Sequence, residues 1–224
     1  MIQALFGDCV DGINGLTENI DCCIADPPYG IAFQSAWRSE KAQWKPKILN
    51  DESPFIDWIE PIFNKMSDGG RFICFYRWDV QDEFLYEIAR VGFTVKSQIV
   101  WDKVIHGMGD LNGEFAPQHE LMIYATKGRY EFKGTRPKTL YKCSRVQPDK
   151  LVHPNEKPVP LIRALIRDIS SKGELIVDPF GGSFSTAMSC KMEDRSCISW
   201  ELDEHYFKLG KKRLDTGSIV QNLF

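Results

Sequence analysis

At 224 residues, 43% hydrophobic and 26% charged, the chain has the composition of one folded domain with room for a sizeable core; disorder, collagen and coiled coil are excluded. No apolar run nears the ~20 residues that span a bilayer, and the opening MIQALFGDCVDG lacks the basic-then-apolar order of a secretory signal, so a cytoplasmic or nuclear protein is expected. The net charge of −3, from 28 basic and 31 acidic residues, gives the whole chain no general attraction for nucleic acid.

Strand and helix patterns alternate along the chain. Asp21 to Ala25 (DCCIA) predicts a strand, and the apolar spacing Phe55, Ile59, Ile62, Phe63 and Met66 predicts a helix ended by Gly69-Gly70. RFICFY (71–76) is the next strand, VQDEFLYEIARVGF a helix closing at Gly92, and TVKSQIVW a further strand. LMIYAT (121–126) follows as a strand, then a helix around 160–170, strand ELIVD, helix 184–191, strand SCISW and helix 204–214. Such alternation predicts an α/β domain with a mainly parallel sheet and helices on both faces, which binds ligands at the carboxyl ends of its strands. No repeat or long linker divides the chain, so residues 1–224 are expected to form a single domain. The seven cysteines include no C-x-x-C pair and the four histidines show no ligand spacing, so reduced, mostly buried thiols and no metal are expected.

Three strand ends carry chemistry. Directly after DCCIA comes Asp26-Pro27-Pro28-Tyr29-Gly30. Two prolines cannot extend a central strand, so the chain leaves the sheet in a stiff turn that aims the Asp26 carboxylate and the Pro27 carbonyl outward together. Paired acceptors suit the exocyclic amino group of a nucleobase, whose lone pair is delocalised into the ring, and Tyr29 would stack on the base once it is flipped out. After ELIV comes Asp178-Pro179-Phe180-Gly181-Gly182-Ser183, whose glycines let backbone approach a ligand; Phe184 occupies the place of a later glycine, so this is not a dinucleotide fingerprint. Glu201 ends the next strand nineteen residues after Gly182, near the separation at which an acid meets ribose hydroxyls, with Asp203 as its nearest competitor. An adenosine-containing cofactor is favoured over a nucleoside triphosphate, which would want a Gly-Lys-Ser/Thr loop.

Positive charge is segregated. Residues 127–150 hold eight Lys or Arg and two acids, for +6, and Trp37 to Lys47 holds four basic residues and Glu40, for +3, leaving −12 elsewhere. In the second stretch Trp37 and Trp44 interleave with Arg38, Lys41, Lys45 and Lys47, a composition suited to stacking and phosphate contact.

The DPPYG turn, the DPFGGS loop and His153-Pro154-Asn155-Glu156-Lys157-Pro158 together resemble the S-adenosylmethionine-dependent DNA amino-methyltransferases, of N6-adenine and N4-cytosine type. The catalytic motif precedes the cofactor loop, as in the β-type, permuted arrangement of that family, which includes bacterial restriction-modification and phage enzymes. The resemblance implies a Rossmann-like seven-stranded sheet with one antiparallel strand. It makes Asp26, Pro27, Pro28 and Tyr29 catalytic, with Asp26 also bordering the cofactor. It places Asp178, Phe180, Gly181, Gly182, Ser183 and Glu201 around S-adenosylmethionine, Asp8 at its adenine, and His153 and Lys157 at its carboxylate end. Phe184, where the family often has Gly-Thr-Thr nearby, is expected to reshape the methionine pocket. The recognition region implied is a short basic insert, 127–152, with Arg136, Lys138, Lys142 and Arg145 on phosphates; the rest of a duplex footprint must come from elsewhere or from a second subunit. DNA, a homodimer and a companion restriction endonuclease are the partners implied, in the cytoplasm and without a membrane. N6-adenine methylation is the first reading, because Asp before Pro-Pro-Tyr is the family's adenine tendency. N4-cytosine methylation and a catalytically silent binding partner of the same fold are the alternatives; a nicotinamide oxidoreductase would leave DPPYG unexplained.

Overall fold

Apolar runs bounded by Gly and Pro turns assemble here into a sheet covered on both sides. A computed structural model describes residues 1–30, 53–107, 113 and 115–217. In chain order the elements are β1 (Ile2–Phe6), α1 (Cys9–Asn14), β2 (Ile20–Ala25), α2 (Ile59–Lys65), β3 (Met66–Tyr76), α3 (Gln81–Arg90), β4 (Thr94–Asp102), β5 (His119–Thr126), β6 (Leu140–Lys142), α4 (Val159–Ile169), β7 (Leu175–Asp178), α5 (Ser185–Met192), β8 (Ser196–Glu201) and α6 (Glu204–Thr216).

The strands lie in the order β1-β8-β7-β2-β3-β5-β4-β6. β5 runs antiparallel to β3 and β4, and the other pairings are parallel. Where seven strands were expected the sheet has eight: the basic segment contributes β6, whose three residues pair beside β4.

The central strands are apolar on both faces, as parallel strands covered by helices must be. In β3, Phe72, Cys74 and Tyr76 point into one core with Trp58, Ile59, Ile62, Phe84 and Ile88 of the α2 and α3 region. Ile73 and Phe75 point into the other, formed with Leu161, Ile162, Leu165 and Ile166 of α4, with Ala187 and Met188 of α5, and with Leu214 of α6. All seven cysteines are free thiols and six are buried. No helix among the described residues is long and apolar enough to cross a membrane.

Gly69-Gly70 does not end a helix. α2 stops at Lys65, and β3 runs through both glycines. Gly69 sits at φ +76°, and a Cβ at Gly70 would lie 2.1 Å from the Met66 side chain, so the strand can make this kink only with glycine. Lys127 completes the corner: its ammonium donates to Phe63 O and Met66 O, each at 2.8 Å, at the C-terminal end of α2.

Candidate active site

β1, β8, β7 and β2 are parallel neighbours, so their carboxyl ends emerge on one edge. The four loops that leave this edge, joined by 153–157 ahead of α4, line a cleft that is partly open to solvent. All the residues singled out in the sequence for catalysis or cofactor binding lie on its wall: Asp8, Asp26 to Tyr29, His153, Lys157, Asp178, Phe180 to Ser183 and Glu201.

Asp26 follows the last residue of β2 and is held by two donors. Tyr29 Oη donates to Oδ1, and Lys157 Nζ to Oδ2. Burial pushes the Asp26 carboxyl above its ordinary pKa; the charge of Lys157 opposes this, and Glu120 adds to it. Lys157, implied at the cofactor's carboxylate end, is thus drawn to Asp26 while still lining the cleft. Its ammonium also lies 3.3 Å from Glu120 Oε2 and 5.0 Å from the centre of the Phe75 ring.

Asp178 ends β7 and is 4% exposed. It accepts the Phe180 N–H at 3.0 Å, yet burial, helped by the charges of Asp26 and Glu201, pushes its pKa up to about 7. Glu201 ends β8 and fastens two loops: Oε2 accepts the Gly182 N–H at 2.7 Å and Oε1 the Asp203 N–H at 2.8 Å. Burial raises its pKa as well. Asp203, the competing acid, is the N-cap of α6, accepting from His205 and Tyr206. Asp8 plays the same part for α1, accepting from Val10 and Asp11. A partly open cleft whose buried carboxylates repel one another accommodates a cation, and a sulfonium compound carrying a ribose diol fits that set of acceptors.

Phe184 does not reach this pocket. It adopts φ +56° at the start of α5, and its ring is fully buried on the α4–α6 side of the sheet. A Cβ at Gly181 would lie 2.3 Å from that ring, and one at Gly210 2.8 Å, so part of the loop's glycine requirement serves Phe184 and not a ligand. Gly182, at φ +51°, lies against the His153 ring, which in turn meets Tyr206 edge to face with centroids 4.3 Å apart.

Three residues of this region escaped sequence reasoning. Glu120 stands at the entrance of β5, one place before the apolar run. Glu156 is buried and pairs with Arg213 of α6 at 2.8 Å, while its Oε2 accepts the Val152 N–H. Arg213 also donates to Ser183 O at 3.1 Å, so α6 grips the loop between β7 and α5. The available signal was an arginine in the buried stripe Tyr206, Gly210, Leu214 of α6.

The basic insert is split by the sheet. Arg136, Lys138, Lys142 and Arg145 are all exposed. Lys142 closes β6 level with Asp102 on the carboxyl edge, with Arg145 beyond it, whereas Arg136 and Lys138 lie on the approach to β6. Arg38, Lys41, Lys45 and Lys47, with Trp37 and Trp44, fall outside the described residues. Among the described residues no group of three or more His, Cys, Asp or Glu is placed to hold a metal ion.

The model of the N6/N4 DNA methylase family matches residues 20–212. The DNA adenine methyltransferase YhdJ of Escherichia coli (strain K12) is 26% identical, the match covering 90% of this chain and 78% of that protein. Two solved structures share the fold. The complex of M1.HpyAVI with SAM superposes with a TM-score of 0.76 at 23% identity, over 96% of this chain and 100% of that one. The cytosine-N4-specific PvuII DNA methyltransferase superposes with a TM-score of 0.73 at 18% identity, over 99% of this chain and 87% of that one.

Proposed function

This chain belongs to the N6/N4 DNA methylase family, and from that premise we propose that it methylates N6 of an adenine flipped out of DNA, with S-adenosylmethionine as methyl donor. The observation that carries the reading is the convergence of Asp26, Asp178 and Glu201, each at the carboxyl end of a parallel strand, on one cleft. Glu201 and the Gly181-Gly182 backbone would hold the ribose and methionine parts of the cofactor, Asp8 its adenine, and Asp178 would face its charge. Bound there, S-adenosylmethionine supplies an electrophilic methyl group.

Asp26 and the Pro27 carbonyl then have one task, to accept the two hydrogens of the target amino group and so free its lone pair for attack. The Tyr29 hydroxyl now bonded to Asp26 must leave when the amino group arrives, which releases the ring to stack on the base. No general base is needed, because the nitrogen loses its proton after it has become positive. Adenine is preferred over cytosine on the Asp at the head of the motif, a preference that the likeness to YhdJ supports. The reading takes 1–224 as one methyltransferase domain whose insert, 127–152, contacts phosphates, and it extends to a second copy of the chain and a companion restriction endonuclease as partners. The test is Asp26→Ala: methyl transfer to DNA in vitro should fall on the order of 10²-fold or more with the fold intact. Retention of more than a tenth of the rate would remove Asp26 from the chemistry.

A further inference from the structure

A row of alternating charges runs from the β4–β5 hairpin into the Asp-Pro-Pro-Tyr turn. Lys103, just past β4, lies 2.7 Å from Glu120 Oε1; Glu120 Oε2 lies 3.3 Å from Lys157 Nζ; and Lys157 donates to Asp26 Oδ2. Strand order explains the meeting. β3 stands between β2 and β5, with Ala25 level with Cys74 and Leu121 level with Tyr76, so the entrance of β5 faces the exit of β2 two strands away. Lys157 is 10% exposed at its side chain, Asp26 21% and Glu120 27%.

A lone ammonium on Asp26 would cancel the negative charge that the target amino group needs to find there. Shared with a second carboxylate, the same ammonium can fix Oδ2 in place while less of its charge is spent on Asp26. We propose, resting on the methyltransferase reading, that Glu120 is a positioning residue whose carboxylate shares the charge of Lys157, so that Lys157 fixes Asp26 without fully neutralising it and Asp26 stays an effective acceptor. Phe75 holds the ammonium from a third side. The charged or titratable groups that face Asp26 are Tyr29 of its own turn, Cys74 of β3, Glu120 of β5, Asp178 of β7 and Lys157 ahead of α4.

The experiment compares Glu120→Gln, Lys157→Met and the double variant in steady-state DNA methylation, with cofactor affinity measured by calorimetry. Glu120→Gln should lower kcat about tenfold or more and leave cofactor affinity within about twofold, and the double variant should be no slower than Lys157→Met, because one residue acts through the other. In the chain alone, the carboxylate NMR signal of Asp26 should titrate at lower pH in Glu120→Gln, since a neighbouring negative charge is gone. Glu120→Asp should recover part of the rate. Losses that multiply in the double variant, an unmoved Asp26 titration, or a fall in cofactor affinity as large as the fall in kcat would each overturn the assignment. A wild-type chain that methylates normally beside an equally fast Glu120→Gln would overturn this inference alone; an inactive wild-type chain would overturn the reading beneath it and the inference with it.

Discussion

Replacing Asp178 by Asn should make the protein more stable and worse at binding its cofactor, with the stability gain confined to neutral and alkaline pH. Asp178 is buried at the end of β7 with a pKa pushed up to about 7, against roughly 4 for an aspartate in an unfolded chain. Between those values the folded chain keeps a proton that the unfolded chain releases. Stability from this group is therefore complete below about pH 4 and is lost as pH rises through 7. Three pKa units at 1.36 kcal/mol each set a ceiling of ~4 kcal/mol on the cost of the ionised form above pH 7. The amide of Asn keeps an acceptor for the Phe180 N–H, though a weaker one than a carboxylate, so about 1 to 3 kcal/mol of that cost should be recovered. For a chain of this length that is a rise in Tm of about 2 to 12 °C. Calorimetric melting should show the rise at pH 8 and almost none at pH 4. S-adenosylmethionine, a cation, should bind the variant about tenfold more weakly at pH 8. An equal change in Tm at both pH values, or a lower Tm at pH 8, would refute the reasoning.

Glu201→Ala should weaken S-adenosylmethionine by roughly 1.5 to 3 kcal/mol, about ten- to a hundredfold in Kd, because a charged acceptor for the ribose is removed. The same change frees the Gly182 and Asp203 N–H groups, so calorimetric binding should be read beside a melting curve, and unchanged affinity would transfer the ribose to another acid. Neutralising Arg136, Lys138 and Lys142 together should shrink the slope of log K against log salt by about 0.9 for each duplex phosphate that the chain no longer neutralises. Because only Lys142 of the three closes β6 on the cleft's edge, its single replacement should carry more of the change than either of the others. Equal slopes for all variants would make the insert an ordinary solvated surface.

The site was legible where its chemistry sits at strand exits. A carboxylate placed directly after an apolar run can be located without knowing the fold; Asp26, Asp178 and Glu201 are all of this kind, and Pro follows the first two. Contacts made by side chains that meet across the fold were not legible. Glu201 and Asp203 look alike on paper, and only the structure shows that Asp203 caps α6 while Glu201 ties the Gly182 loop. Glu120 reads as a solvent-exposed strand end, and becomes a neighbour of Asp26 only because β5 inserts between β3 and β4. Glu156 and Arg213 lie 57 residues apart, and only the arginine within the buried stripe of α6 hints at their pairing. Misreadings followed the same logic. Gly69-Gly70 has the composition of a helix stop, yet these glycines kink a strand; Lys127, first of the basic segment, turns its ammonium onto the carbonyls of Phe63 and Met66, which no local pattern announces.

The central claim is tested most directly on DNA from cells that express the chain, digested to nucleosides and analysed by mass spectrometry. The account predicts N6-methyladenine with the wild-type chain and none above background with Asp26→Ala. N4-methylcytosine in its place would contradict the choice of base, and the absence of either modified nucleoside, with the protein expressed and folded, would contradict the proposed activity itself.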